Sequence, residues 1–120
     1  SSDSEKIFFE IFNSYEKLTN LYRQKITNSN EFNNFYMTFK QYCFLIINNE
    51  DEFEFLKNMP RYLFKEKQVF VSIFKKYNGL KKKKLIELMF DLEKNMRKYS
   101  NFDLSTGLRT LVSFKKITFS

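Results

Sequence analysis

No histidine occurs in this sequence, which removes the commonest general base and the commonest metal ligand. A single cysteine, Cys43, excludes an intrachain disulfide and the usual Cys/His zinc clusters, and it gives no sign of an oxidising compartment. Two glycines and one proline leave little material for tight hairpins or Gly-rich loops, which argues against an all-β fold. None of the glycine motifs G-x-G-x-x-G, G-x-x-x-x-G-K-[ST] or G-x-S-x-G is present. The longest strongly apolar run, Tyr42 to Ile47, falls far short of the roughly 18 residues that suggest a membrane span. These absences point away from an enzyme, from a bound metal or cofactor and from a transmembrane segment.

What is present is aromatic and basic. With 42% hydrophobic and 19% aromatic residues, the chain is too apolar to be a disordered tail. Its 120 residues suffice for one domain, 1–120, with a continuous core that needs no metal or disulfide support. The apolar mass comes from 16 Phe and 7 Tyr, while Ala and Trp are absent. Phe, Tyr, Ile, Lys and Asn together make up half of the chain, and their codons are the richest in A and T. An AT-rich genome therefore accounts for part of the lysine excess. It does not account for the distribution. Residues 1–60 carry 6 Lys/Arg against 9 Asp/Glu, a net −3, whereas residues 61–120 carry 15 against 5, a net +10. Codon bias would enrich lysine throughout, so the asymmetry suggests a basic face and an acidic partner.

Apolar spacing of three and four predicts an all-α fold, a single compact bundle of four to five amphipathic helices. The first, about 4–26, aligns Phe8, Ile11, Phe12, Tyr15, Leu18, Tyr22 and Ile26. The second, about 31–48, aligns Phe32, Phe35, Phe39, Tyr42, Cys43 and Ile46. Because Tyr42 to Ile47 is apolar on every side, this helix is expected at the centre, covered all round. Acidic residues Glu50 to Glu54 suit the start of a short helix that Pro60 stops, with Phe53 and Phe55 as core anchors. A third main helix, about 61–77, would bury Leu63, Val69, Phe70, Ile73, Phe74 and Tyr77, with Asn78-Gly79 as its left-handed stop. A fourth, about 80–99, uses Leu85, Leu88, Met89, Leu92, Met96 and Tyr99. Residues 104–120 read as either helix or strand, and helix is favoured.

Three groups of residues are candidates for function. The stretch "KKYNGLKKKK" places Lys75, Lys76, Lys81, Lys82, Lys83 and Lys84 around one turn. Lys75 and Lys76 close a helix, where positive charge suits the dipole, but Lys81 to Lys84 open one, where each costs roughly 0.3–1 kcal/mol. The stretch reads either as a well-solvated turn written by an AT-rich genome or, given the unfavourable placement, as an anion-binding hairpin, one that reads charge rather than sequence because arginine is missing from it. Phe9, Leu21, Met37 and Phe44 fall off the main stripes, where at most one neighbouring helix can cover each, and any left exposed would contact a partner. The run Glu50, Asp51, Glu52, Glu54 lacks the glycine and the alternation of a calcium loop, so it reads as a solvated cap. Cys43, aligned with Phe39 and Ile46, reads as a small core residue. The expected function is thus a non-enzymatic, intracellular protein-interaction module of cytoplasm or nucleus, without metal or cofactor, whose basic C-terminal half engages an acidic protein. The alternative is a nucleic-acid-binding domain held mainly by lysine–phosphate contacts.

Overall fold

The computed structural model describes residues 2–98 and 104–120 of the chain. Among these residues every regular element is helical and there is no strand. The α-helices number seven rather than four or five: α1 (Ser2–Phe9), α2 (Tyr15–Lys25), α3 (Ser29–Ile47), α4 (Glu52–Asn58), α5 (Lys67–Phe74), α6 (Gly79–Lys98) and α7 (Leu104–Thr118). Two 3₁₀ turns, Glu10–Phe12 and Arg61–Glu66, join α1 to α2 and α4 to α5. Tyr99, expected on the stripe of α6, lies outside the described residues.

The higher count has local causes. The segment read as one helix over 4–26 breaks at Asn13 and Ser14, both extended, and the Ser14 hydroxyl accepts from Lys17 N at 3.2 Å to cap α2. Phe12 and Tyr15, at the break, are consequently exposed, whereas Ile7, Phe8, Ile11, Leu18, Tyr22 and Ile26 are buried. The expected helix over 61–77 begins as a 3₁₀ turn, Arg61–Glu66, in which Leu63 is the one buried residue. Phe53 and Phe55 cannot both anchor α4, since residues two apart on a helix do not face each other. Phe55 is fully buried and Phe53 is exposed. Residues 104–118 are helical, and Leu111 and Phe114 of α7 are buried.

All the buried apolar side chains belong to one cluster. At its centre the Phe8 ring stacks on Phe35 and Phe39, each with centroids 5.6 Å away, and meets Tyr42 and Phe114 edge-on. Such ring pairs add about 0.5–1.5 kcal/mol each beyond their buried area. The buried tyrosines keep their hydroxyls satisfied: Tyr22 donates to Leu104 O at 2.9 Å and Tyr42 to Phe70 O at 3.1 Å. Helix α3 is central, packing against α1, α4, α6 and α7. It is not covered all round, however, because Phe44 is 44% exposed. Helix α6 runs antiparallel beside α3: Lys40 pairs with Glu93 at 3.1 Å, and Lys82 reaches the carbonyl of Asn49. No helix among the described residues is long and apolar enough to cross a membrane.

Candidate functional site

The turn between α5 and α6 decides where the six lysines point. Helix α5 ends by tightening, with Lys76 N and Tyr77 N donating to Ile73 O and Phe74 O at 3.0 Å each. Asn78 then starts α6 instead of ending α5: its Oδ1 accepts from Lys81 N at 2.9 Å. Gly79 is the first residue of α6, and no glycine in the described chain has a positive φ. The expected left-handed stop is therefore an N-cap.

From this start the lysines divide. Lys81 Nζ donates to Thr118 O, the last residue of α7, at 3.1 Å. Lys82 Nζ donates to Asn49 O, just past the end of α3, at 2.7 Å, and lies 5.5 Å from the centre of the Phe74 ring. Both cations thus sit at the negative ends of neighbouring helices, which offsets their unfavourable place at the positive end of their own. Lys75 pairs with Glu52 at 2.9 Å on an exposed surface, where a bridge is worth little. Lys76 Nζ stands 5.1 Å from the centre of the Phe119 ring. Lys83 and Lys84 are exposed, and their side chains have no hydrogen bond, ion pair or ring contact among the described residues. Four of the six lysines are therefore engaged within the fold.

The four off-stripe apolar residues divide as well. Phe9 is half-buried with its ring 5.2 Å from Phe70, and Leu21 is half-buried against the core. Met37 and Phe44 are exposed, at 61% and 44%. Seven residues apart on α3, they share one face and line a shallow groove of about 430 Å³ with Thr38, Lys40 and Gln41. A second hollow of about 290 Å³ continues along α3 between Phe44, Asn48, Asn58 and Pro60. The Tyr62 hydroxyl donates to Gln41 Oε1 at the edge of this face. Phe90 of α6, 67% exposed, was not singled out in the sequence. It stands one turn from Glu93, as Phe44 stands one turn from Lys40, so the antiparallel pair brings both rings to one level.

The remaining candidates are structural. Asp51 caps α4 by accepting from Glu54 N at 2.8 Å, and Glu54 in turn accepts from Glu50 N at 3.5 Å. No group of three or more metal-ligating acids, cysteines or histidines gathers among the described residues. Cys43 is buried, and burial pushes its thiol well above the usual range. Burial does the same for the Tyr42 hydroxyl, and for that of Tyr77 despite its hydrogen bond to Thr118.

A further cluster escaped the sequence because it joins both ends of the chain. Lys115 of α7 reaches the carbonyls of Ile11 and Asn13, at 2.5 and 2.7 Å, and so closes the 3₁₀ turn after α1. Its ammonium lies 5.0 Å from the ring centres of both Tyr15 and Phe119, and Phe12 meets Phe119 edge-on at 5.4 Å. No known protein family, curated protein or solved structure matches this chain.

Proposed function

We propose that this chain is a non-enzymatic protein-interaction module that docks an acidic amphipathic helix of a partner along α3. The observation that carries this reading is the exposed row of Met37 and Phe44 on the outer face of a central helix, with two hollows between and beyond them. From Met37 to Asn48 the row spans about 16 Å at 1.5 Å per residue. Three turns of a partner helix, anchored at i, i+3 or i+4 and i+7, match that length. Phe90 widens the apolar strip on the α6 side, and Lys83 lies on the same stripe of α6, seven residues before it. Glu87 stands between them, so the attraction for an acidic partner comes from the hairpin as a whole rather than from the contact strip. The unpaired Lys83 and Lys84 at the end of the strip favour encounter with negative charge.

Two further observations favour binding over catalysis. The groups whose ionisation burial suppresses, Tyr42, Cys43 and Tyr77, are held in or against the core. The hairpin's engagement with Thr118 and Asn49 also weakens the alternative of lysine–phosphate binding there, since Lys81 and Lys82 are committed to main-chain carbonyls.

The test is capture from an extract of the encoding organism, with and without nuclease, washed at two salt concentrations. Wild type is compared with the Met37→Ser/Phe44→Ser and Lys83→Gln/Lys84→Gln variants. The expected result is an acidic protein that survives nuclease, is lost with the α3 variant and associates more slowly with the lysine variant. Capture of nucleic acid alone, or identical capture by the α3 variant, would overturn the proposal.

A further inference from the structure

We infer that Phe12, Tyr15 and Phe119, with Lys76, Lys115 and Lys116, form a binding site for single-stranded nucleic acid, separate from the α3 face. The three rings are 44%, 45% and 41% exposed, on segments otherwise committed to the core. Phe12 and Tyr15 flank the break between α1 and α2, and Phe119 follows α7. Packing does not require them to gather, yet Phe12 and Phe119 meet at 5.4 Å and Lys115 bridges Phe119 to Tyr15.

Among the described residues, the positive charge around these rings has no carboxylate paired with it. Neither Lys76, Lys115 nor Lys116 has an acidic group within ion-pair distance among the described residues. Of the nearby acids, Glu10 accepts a hydrogen bond from the Asn13 side chain, and Glu16 is exposed in the first turn of α2. Lys76 and Lys115 both place their ammonium groups about a ring's width from Phe119, at 5.1 and 5.0 Å. Like charges brought together on one ring make a local excess that an anion would relieve.

The lysines differ in freedom. Lys115 is clamped by two carbonyls and acts as a fixed charge. Lys76 is exposed, and the Phe119 ring is the sole partner of its side chain among the described residues; this interaction is weak at exposed sites, so Lys76 can swing onto a phosphate and uncover the ring face. Lys116 is exposed without a partner among the described residues and adds a second mobile cation. Rings that take bases, beside ammonium groups that take phosphates, are the arrangement that holds single strands without sequence preference. In a duplex the bases are stacked inside and cannot reach the rings. Insertion into an anionic membrane is disfavoured because the rings are only half exposed and capped by ammonium groups, whereas interfacial anchoring buries an apolar face 5–10 Å deep.

Titration of a labelled single-stranded oligonucleotide, followed by fluorescence anisotropy, tests the site on the whole chain. Binding is expected to favour the single strand over a duplex of the same sequence. With three phosphate contacts, the slope of log affinity against log salt should be roughly −2. Phe12→Leu/Tyr15→Leu should weaken binding about tenfold or more. Lys76→Gln/Lys116→Gln should bring the slope to roughly −0.7, the value for one remaining contact. Met37→Ser/Phe44→Ser should bind the oligonucleotide as wild type does, which separates this site from the α3 face. Circular dichroism confirms that each variant is folded before titration. Absence of oligonucleotide binding, equal affinity for duplex with no effect of the ring substitutions, or binding to anionic vesicles without binding to the oligonucleotide would each overturn the inference.

Discussion

Gly79 and Gly107 differ in what a side chain at either position would meet. A Cβ on Gly79 finds nothing within 4 Å, and the backbone there is not left-handed. Gly79→Ala should stabilise the chain by about 0.4–1 kcal/mol, mainly by restricting the unfolded state. A Cβ on Gly107 would strike the Tyr22 hydroxyl and approach Phe32 to 2.7 Å, where α7 crosses the first helices. Gly107→Ala should destabilise by about 1–3 kcal/mol. Urea melts of both variants check the pair, and a loss at Gly79 would contradict its place at the start of α6. The buried tyrosines carry a second expectation. Tyr42 and Tyr77 would ionise near 10.0 in the unfolded chain, but burial holds both higher in the fold. Above pH 10 the native state then binds more protons than the unfolded one. Stability from these groups is full below that pH and falls as pH rises, by up to about 1.4 kcal/mol per pH unit for each tyrosine. Melts across pH 8 to 11 should show the decline, and Tyr77→Phe should make it shallower than in wild type.

At the scale of elements, helix α6 is held at its start by the carbonyls of Thr118 in α7 and of Asn49 just past α3. Lys81→Gln/Lys82→Gln should therefore cost about 1–3 kcal/mol, since hydrogen bonds from charged groups are among the stronger ones. Lys83→Gln/Lys84→Gln should leave stability unchanged or raise it by about 0.5 kcal/mol, because exposed charge opposing the helix dipole is removed. Chemical denaturation of the two double variants decides it, and equal effects would mean that the carbonyl contacts contribute nothing. Sequence periodicity located α3 and α6 closely, because the apolar stripe runs through each without a break. It ran two helices together at Asn13 and Ser14, because the apolar spacing stays in phase across the break while the chain does not. Asn78-Gly79 was misread for a related reason. The pair serves equally as a helix stop and as a helix cap, and its role is set by the tight end of α5, which leaves no mark in side-chain pattern.

Across the whole molecule, the candidate surfaces were legible to the extent that they are made of side chains. Met37 and Phe44 could be picked out because they lie off the buried stripe of α3. The fate of the lysines could not, since their partners are the main-chain carbonyls of Asn49, Thr118 and Ile11, which every residue possesses. The cluster of Phe12, Tyr15 and Phe119 was hidden for want of any local signal, since Phe119 lies more than a hundred residues from the other two. That same separation governs how the molecule comes into being. Phe8 makes ring contacts with Phe35, Phe39 and Tyr42, but also with Phe114. At 5–20 residues per second, a ribosome delivers Phe114 roughly 5–20 s after Phe8. Until then α1 and α3 present an open aromatic surface with no α7 to close it. The nascent protein accordingly passes through a period in which a chaperone, or another copy, competes for a place that only its own last helix fills in the native state.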